Sequence, residues 1–288
     1  ALDKAIAQNL NLDGPLAAFA VSEMVEENMS NAARVHAVEQ GKELAERTLI
    51  AFGGAAPLHA CRMAEKLGMD RVIIPQGAGV GSAIGFLAAP VSYEMVRSRY
   101  TRLDAFEAEG LNKMFAEMQA EAHDIVVAGA PGAKLEERRI AYMRYIGQGH
   151  EIVVELPVRS LTSADGVVLK AAFDLAYEAL FGRVIPSMEV EILTWALSVA
   201  TLQSNPPALG EVVTQAAAAA SGERRLFDAD QTDFVTVPVY QRADLSPGMM
   251  APGPALIAEA QTTTAITAHF EASINGAGHI DIRRKQTD

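Results

Sequence analysis

The hydrophobic positions in the first third of the chain alternate between helical and strand spacing. Over residues 15–40, apolar residues recur every three or four positions, which predicts a long helix with one face on a sheet, ended by Gly41. Short apolar runs at 48–52 and 72–74 flank a helical pattern at 57–67. Two short strands joined by a helix of this length predict a parallel βαβ unit whose strands are buried.

Each strand of this unit runs into a turn of small residues followed by a helix. The first turn reads FGGAAP, and the second reads QGAGVGSAIG and leads into a predicted helix at 82–89. Glycine lets a backbone approach a ligand closely, and the first N–H groups of a helix attract an anion. Each turn can therefore bind a phosphate or nucleotide, although tight packing of strand against helix explains the same residues.

Beyond Pro90 the pattern is richer in strands. Residues 94–103 are a connecting segment or an edge strand, and 106–127 and 171–181 have helical spacing. In the predicted strand 189–202, alternation places one set of residues on one face: Val190, Ile192, Thr194, Ala196 and Ser198. Residues 203–225 are a linker or an exposed helix. The other predicted strands are a pair within 139–157 broken at 147–149, and 234–240, 255–257, 261–267 and 278–284.

The net charge and the cysteine content limit the kinds of partner and environment that suit this chain. The net charge of -12 argues against nucleic acid and anionic membranes, which need clustered Lys and Arg. The apolar run at 80–91 is shorter than the roughly 20 residues of a membrane-spanning helix. The single cysteine, Cys61, permits no internal disulfide, is expected to be a small buried hydrophobe, and fits a cytoplasmic protein. The start of the chain, ALDKAIAQ, indicates a piece of a longer protein.

Candidate side-chain chemistry is sparse. The six histidines form no pair at three- or four-residue spacing, so we expect no metal site made by this chain alone. His59 lies one turn into the helix after FGGAAP, where it could contact a bound group or be a packing histidine. Glu26, Glu27 and Asn28 are interpreted as a solvated helix face. A dinucleotide-binding interpretation of the second turn is weak because no acidic strand end follows about 20 residues later.

The stretch FGGAAPLHACRMAEKLGMDRVIIPQGAGVGSAIGFLAAP resembles the hydantoinase A and 5-oxoprolinase family, which includes acetone and acetophenone carboxylase subunits. Further similar segments are ENMSNAARVHAVEQG, RYIGQGHEIVVELP, YEALFGRVIP, VEILTWALSV and GPALIAEAQTTTAI. The resemblance covers nearly the whole chain and only the C-terminal part of the family. Ala56 replaces a glycine of the family pattern, and Gln261 stands where an acidic residue or Ser is common.

The resemblance implies an α/β plus β-rich fold. Residues 1–95 would form part of the second lobe of an actin, sugar-kinase and Hsp70-like ATPase, and 96–288 a mostly β C-terminal domain with a few helices. It assigns nucleotide binding to the backbone of Gly53, Gly54, Ala55 and Ala56, and assigns the second turn to close packing beside them. The facing lobe would lie before Ala1.

The same resemblance implies an ATP-dependent hydrolase of cyclic amides such as hydantoin, 5-oxoproline or another lactam. ATP with Mg²⁺ would phosphorylate the substrate, and a hydantoinase B-type subunit would complete ring opening in a hetero-oligomer. Two alternatives are a subunit of an ATP-dependent ketone carboxylase and a non-catalytic module that docks the B subunit. We expect these 288 residues alone to be inactive, and the catalytic residues are not assigned.

Overall fold

The computed structural model describes residues 3–203 and 217–286 and separates them into two units. One unit contains the described residues up to 88 and from 217 onward, and the other contains 89–203. C-terminal strands of the first unit therefore share a sheet with its N-terminal strands. The predicted division of the sequence into domains at residues 95 and 96 stays a prediction.

The first unit begins with three helical segments. A π-helical turn, Asp3–Ala7, leads into α1 (Gln8–Leu10) and then α2 (Gly14–Glu39). The side chain of Asp13 accepts a hydrogen bond from the Leu16 N–H at 2.7 Å and so caps α2. The predicted long helix is confirmed, but its predicted apolar face is wrong. Met24, Val25 and Val35 are exposed, because the polar side of α2 packs on the next helix.

A βαβ unit follows, as predicted. Strands β1 (Thr48–Ile50) and β2 (Arg71–Ile74) are parallel and are joined by α3 (Ala56–Leu67), which ends at Gly68 in the left-handed conformation. Helix α4 (Gly81–Ala88) comes after β2. The prediction that both strands are buried is wrong for β1, where Ile50 is 61% exposed, because β1 lies at the edge of its sheet.

C-terminal strands complete that sheet. Its order is β1-β2-β13-β12-β9, with β9 at Met250–Pro252, β12 at Phe270–Ile274 and β13 at Ile280–Arg284. Strand β13 runs antiparallel to β2, and Arg71 donates two hydrogen bonds to Asp281 across the pair, at 3.0 and 2.7 Å. The hydrophobic core of the unit thus joins residues from both ends of the chain.

A second sheet in this unit has the order β11-β10-β8-β7. Its strands are β7 (Gly222–Asp228), β8 (Asp233–Gln241), β10 (Ala255–Ala258) and β11 (Thr263–Ile266). Residues 204–216, within the predicted linker or exposed helix, lie outside the described residues. The same prediction is wrong for residues 222–225, which belong to β7.

The second unit is a four-stranded antiparallel sheet with two helices. The sheet order is β3-β6-β4-β5, and α5 and α6 supply the apolar side chains that cover it. The prediction of an edge strand near residues 94–103 is confirmed by β3. The elements are β3 (Ser92–Arg102), α5 (Ala108–Gly129), β4 (Leu135–Tyr145), β5 (Ile152–Leu156), α6 (Asp165–Phe181) and β6 (Val190–Thr201).

The predicted facing of β6 is only half right. Val190 and Ile192 are in the core, but so are Trp195, Leu197 and Val199, which strict alternation would place on the opposite face. The register of β6 shifts between Ile192 and Thr194 against both neighbouring strands, which is the mark of a β-bulge. One extra residue reverses the facing of every residue after it, so alternation predicts the wrong core beyond the bulge.

Candidate functional site

The first glycine turn lies where β1 passes into α3. Gly53 has a φ of +110°, a conformation that favours glycine, and its N–H donates to the Ala78 carbonyl at 2.7 Å. Gly54 and Ala55 are exposed, and Ala55 is the N-cap of α3 without any side-chain cap. Within the described part of the chain, the N–H groups of Gly54 and Ala55 have no hydrogen-bond acceptor.

The second glycine turn lies beside the first and is filled by neighbouring atoms. It forms a short 3-10 helix, Ala78–Val80, before α4 begins. A Cβ at Gly79 would lie 2.5 Å from Cβ of Gln261, and one at Gly81 would lie 3.3 Å from the ring of Phe52. The contact at Gly79 requires glycine, because real Cβ atoms do not approach so closely, and a side chain at Gly81 would fit only if the ring of Phe52 moved slightly. The predicted role of this turn in close packing is confirmed at Gly79 and Gly81.

The turn between β10 and β11 packs on both glycine turns. The Glu259 N–H donates to the Thr262 carbonyl at 2.9 Å, and the Thr262 hydroxyl donates to the Gly54 carbonyl at 2.9 Å. Burial raises the pKa of Glu259 above its ordinary value of 4.5, and the charge of Arg242 opposes that rise. The sequence reasoning noted Gln261 only as a departure from the family pattern, and nothing in the sequence linked it to Gly54 or Gly79.

The structure brings Gly53, Gly54, Ala55 and Ala56 together at the N-terminus of α3, as their adjacency requires. The positive end of the helix dipole and two open N–H groups favour a ligand with negative charge there. A phosphate or a sugar hydroxyl can be bound by such backbone without any charged side chain. The assignment of these four residues to a nucleotide stays a prediction.

His59 is paired with the carboxylate of Glu26, which the sequence pattern predicted to lie on a solvated helix face. Its Nδ1 lies 3.0 Å from Oε1 of Glu26, which also accepts a hydrogen bond from the Ser22 hydroxyl at 3.3 Å. Glu26 is only 4% exposed, so its interpretation as part of a solvated face is wrong. Glu27 and Asn28 are exposed, as predicted. The burial of Glu26 depends on the packing of α2 against α3, which joins residues 33 positions apart.

This pair lines a cavity of about 360 Å³. The cavity lies between α2, α3, the β7–β8 hairpin and β11, and all of its lining belongs to the first unit. Its walls are mostly apolar, with charged groups from α2, α3 and the β7–β8 hairpin. The residues that line it include Ala18, Phe19, Glu26, His59, Arg62, Glu65, Phe227, Asp228, Asp230 and Phe234.

Ion pairs hold α2 to α3 at one side of the cavity. Arg62 donates to Glu23 and to Glu65, each at 2.7 Å, and Lys66 donates to Glu23 at 2.8 Å and to Glu27 at 2.7 Å. Burial raises the pKa of Glu23, but the hydrogen bonds from Lys66 and Arg62 outweigh it, so the pKa lies below its ordinary value of 4.5. These contacts explain why the polar face of α2 turns inward.

Other side-chain chemistry in the described residues is limited. Cys61 is buried, as predicted, and burial raises the pKa of its thiol to about 12, which makes it unreactive. Residues 3–203 and 217–286 contain no group of three or more His, Cys, Asp or Glu placed to hold a metal ion. Over the same ranges, no helix has both the length and the apolarity to cross a bilayer.

Comparison with known proteins identifies the protein family to which this chain belongs. Residues 1–95 match the hydantoinase/oxoprolinase family, and residues 101–283 match the hydantoinase/oxoprolinase C-terminal domain. The chain therefore belongs to the hydantoinase/oxoprolinase family, as its sequence motifs predict.

Individual relatives agree with that assignment. The chain is 28% identical to caprolactamase subunit alpha of Pseudomonas jessenii, over 96% of this chain and 40% of that subunit. The crystal structure of the ATP-dependent caprolactamase from the same organism matches with a TM-score of 0.73 and 26% identity, over 99% of this chain and 42% of that one. A nucleotide-free structure of acetone carboxylase matches with a TM-score of 0.78 and 23% identity, over the same shares.

These likenesses confirm the predicted fold class, an α/β part combined with a β-rich part. The relation of the α/β part to actin, sugar kinases and Hsp70 stays a prediction. The chain spans about two fifths of the length of the caprolactamase and acetone carboxylase chains it matches.

Proposed function

We propose that this chain is the C-terminal part of the A-type subunit of an ATP-dependent cyclic amide hydrolase. The observation that carries the proposal is the exposed turn at Gly54 and Ala55, whose N–H groups have no acceptor in the described residues and which precedes α3. Membership of the family and similarity to an enzyme described as an ATP-dependent caprolactamase support ATP as the ligand. Substrates of this class are hydantoins, 5-oxoproline and other lactams.

The residues present fit a nucleotide that is held by backbone groups. Gly53, Gly54, Ala55 and Ala56 would bind it, and the bond from the Thr262 hydroxyl orients the Gly54 carbonyl so that the turn keeps its shape. ATP would supply the phosphoryl group that activates the amide oxygen for ring opening. Magnesium belongs to this proposal as the usual companion of ATP, with ligands from the nucleotide and from outside the described residues.

We further propose that the facing half of the nucleotide cleft comes from the part of the subunit that this chain does not span. Large apolar side chains near the glycine turns are exposed, with Phe52 at 58% and Phe86 and Leu87 each at 85%. Exposed apolar groups of this size commonly mark a surface that another part of the protein covers. The 288 residues alone should therefore neither bind Mg-ATP with micromolar affinity nor hydrolyse it.

A B-type partner subunit is the third element of the proposal. The caprolactamase relative is named as a subunit alpha, which supports an assembly of unlike chains. The partner would complete ring opening after activation of the substrate, in the cytoplasm. A chain that only docks this partner, without taking part in catalysis, would co-purify with it regardless of nucleotide.

The proposal is tested by calorimetric titration of the full subunit with Mg-ATP. Gly54→Val is the informative variant, because a Cβ at Gly54 would approach nothing closer than the Gln261 carbonyl oxygen at 3.8 Å and the fold can accept it. Loss of ATP binding by at least about tenfold, with unchanged thermal stability, is expected where a ligand contacts the backbone closely. Gly149→Val is the matched control, since nothing lies within 4 Å of a Cβ there. Equal affinity in both variants would contradict the assignment.

Carboxylation of a ketone is the second candidate, favoured by the likeness to acetone carboxylase with a TM-score of 0.78. Ketone carboxylation needs bicarbonate as a co-substrate, whereas cyclic amide hydrolysis does not. Bicarbonate-dependent ATP hydrolysis by the complete complex would select the carboxylase, and lactam-dependent hydrolysis without bicarbonate would select the amide hydrolase.

A further inference from the structure

The cavity between α2, α3 and the β7–β8 hairpin is separate from the proposed nucleotide turn. None of Gly53, Gly54, Ala55 and Ala56 is among the described residues that line it. Its volume of about 360 Å³ falls within the range of small-molecule sites, and its mostly apolar lining with a few converging polar groups is typical of them. Its chemistry indicates which kind of molecule it suits.

One side of the cavity presents aromatic rings. Phe19 of α2 lies with its ring centroid 5.0 Å from that of Phe227, and Phe227 meets Phe234 edge-to-face at 5.5 Å. The guanidinium of Arg225 already lies over the ring of Phe234, 4.5 Å from its centroid. The faces of such rings attract cations that carry an apolar body.

The charged groups that line the cavity carry an excess of negative charge. They are four carboxylates, from Glu26, Glu65, Asp228 and Asp230, against the guanidinium of Arg62 and the imidazole of His59. Asp230 is paired with a histidine outside the lining, His269, whose Nε2 lies 2.8 Å from its Oδ2. Arg62 is already bound by the carboxylates of Glu23 and Glu65. A phosphate or carboxylate ligand would face net repulsion here, whereas a cation would be attracted.

Glu26 provides a specific place for that cation. Its Oε1 is used by His59 and Ser22, but its Oε2 lies 4.0 Å from Nε of Arg62, which is too far for a hydrogen bond. Nε of Arg62 is itself buried without a hydrogen-bond partner in the described residues. The two groups therefore form an ion pair without a hydrogen bond, and Oε2 can still accept a hydrogen bond from another donor.

We propose that this cavity binds a small organic cation, an amine with an aromatic or cyclic apolar body. The ammonium group donates to Oε2 of Glu26, and the apolar body packs against Phe19, Phe227 and Phe234. This site is additional to the nucleotide site and does not depend on the reaction that the subunit catalyses.

Calorimetric titration of the full subunit tests the proposal with three probes of one shape: benzylamine, benzyl alcohol and benzoate. Benzylamine is expected to bind at least about tenfold more tightly than benzyl alcohol, because its charge adds a charge-assisted hydrogen bond and a contact with the rings. Benzoate is expected not to bind. The benzylamine affinity should be unchanged when a non-hydrolysable ATP analogue and Mg²⁺ are saturating.

Single substitutions test whether benzylamine binds in this cavity. Glu26→Gln should weaken benzylamine about tenfold or more while leaving benzyl alcohol unchanged, and the neighbouring, exposed Glu27→Gln should change neither by more than about twofold. Ala18→Phe should abolish binding of both probes by filling the cavity from an exposed position of α2. This second variant keeps the test decisive if Glu26→Gln fails to fold.

Three results would overturn the proposal. Benzoate binding as tightly as benzylamine would show that the charge preference is wrong. Equal effects of Glu26→Gln and Glu27→Gln, or none from Ala18→Phe, would place the probe elsewhere. Displacement of benzylamine by the ATP analogue would make the cavity part of the nucleotide site.

Discussion

Two regions on the same helix differ in how they are built. The turn at the start of α3 is made of adjacent residues, 53–56, and offers backbone groups to a ligand. The cavity beside the next turn of α3 offers side chains, and its parts come from four elements. The Thr267 hydroxyl, for example, donates to Glu65 at 2.5 Å across 202 residues of sequence. A backbone site can therefore be recognised locally, whereas a side-chain site exists only once the chain is folded.

The two regions also differ in how pH acts on them. Near the glycine turns, burial raises the pKa of Glu259, whereas beside the cavity the hydrogen bonds of Lys66 and Arg62 outweigh burial and lower the pKa of Glu23. Relative to the unfolded chain, folding favours the neutral form of the first carboxyl and the ionised form of the second. Protonation is therefore expected to strengthen the glycine turns and to weaken the α2–α3 contact.

The largest effect is expected at the packed turn, from Gly79→Val. The new side chain would overlap Cβ of Gln261 and force the β10–β11 turn away, which should lower the free energy of unfolding by about 2–3 kcal/mol. Chemical denaturation measures this. Gly85→Ala is the control, because nothing lies within 4 Å of a Cβ there and alanine favours the helix. Equal stability of the two variants would show that the second turn is not held by close packing.

A smaller loss is expected beside the cavity, from Glu26→Ala. The change removes the acceptor of His59 and Ser22 from a buried position, which should lower the free energy of unfolding by about 2 kcal/mol. The control Glu27→Ala removes an exposed carboxylate that pairs with Lys66 and should lower the free energy of unfolding much less, because solvent screens an exposed ion pair. Denaturation at neutral pH compares the two. A Glu26 variant as stable as the control would mean that the pair is not structurally important.

The Glu23→Gln variant should lose less stability than the parent protein as the pH falls. Because the pKa of Glu23 is lowered on folding, its ionised form stabilises the protein above about pH 4.5, and this contribution is lost as pH falls through the lowered pKa. The variant should be less stable than the parent at neutral pH and equal to it in acid. Thermal melts from pH 7 to pH 3 test this, and a constant difference across that range would count against the assigned ion pairs.

The smallest change in stability is expected from Glu259→Gln, and at neutral pH it should be a gain, whereas Glu23→Gln causes a loss. A raised pKa means that the contribution of Glu259 is fully present below about pH 4.5 and is lost as pH rises through the folded-state pKa. The variant should therefore be slightly more stable than the parent at neutral pH, and the two should become equal in acid. The same series of melts measures it, and a less stable variant at pH 7 would contradict the burial of this carboxyl.

Much of the fold could be predicted because its signals are local. The spacing of apolar residues, Pro near helix starts and Gly at helix ends located α2, α3 and the β1–β2 pair within a few residues. The motifs around Gly53 and Gly79 identified the family. Two short strands, β9 and β12, were missed. Strand β9 has only three residues, whereas β12, Phe270–Ile274, does alternate apolar and polar residues and was overlooked because it is short.

The remaining features depend on contacts that sequence spacing does not reveal. On the side of α2 that faces α3, Glu23 and Glu26 meet Arg62, Lys66 and His59, and the other buried residues of α2 are small: Ala17, Ser30 and Ala37. A rule that places large apolar residues inside therefore chose the wrong face. The bulge in β6 reversed its alternation. At the cavity, α2 lies next to strands that follow it by more than 180 residues in the sequence. This proximity exists only in the folded chain.

The assignment of the nucleotide to the first glycine turn is tested by a structure of the full subunit with a non-hydrolysable ATP analogue and Mg²⁺. We expect a phosphate or ribose oxygen within hydrogen-bond distance, about 3 Å, of the backbone nitrogen of Gly54 or Ala55. A nucleotide bound at a position that leaves both N–H groups without a ligand contact would contradict it.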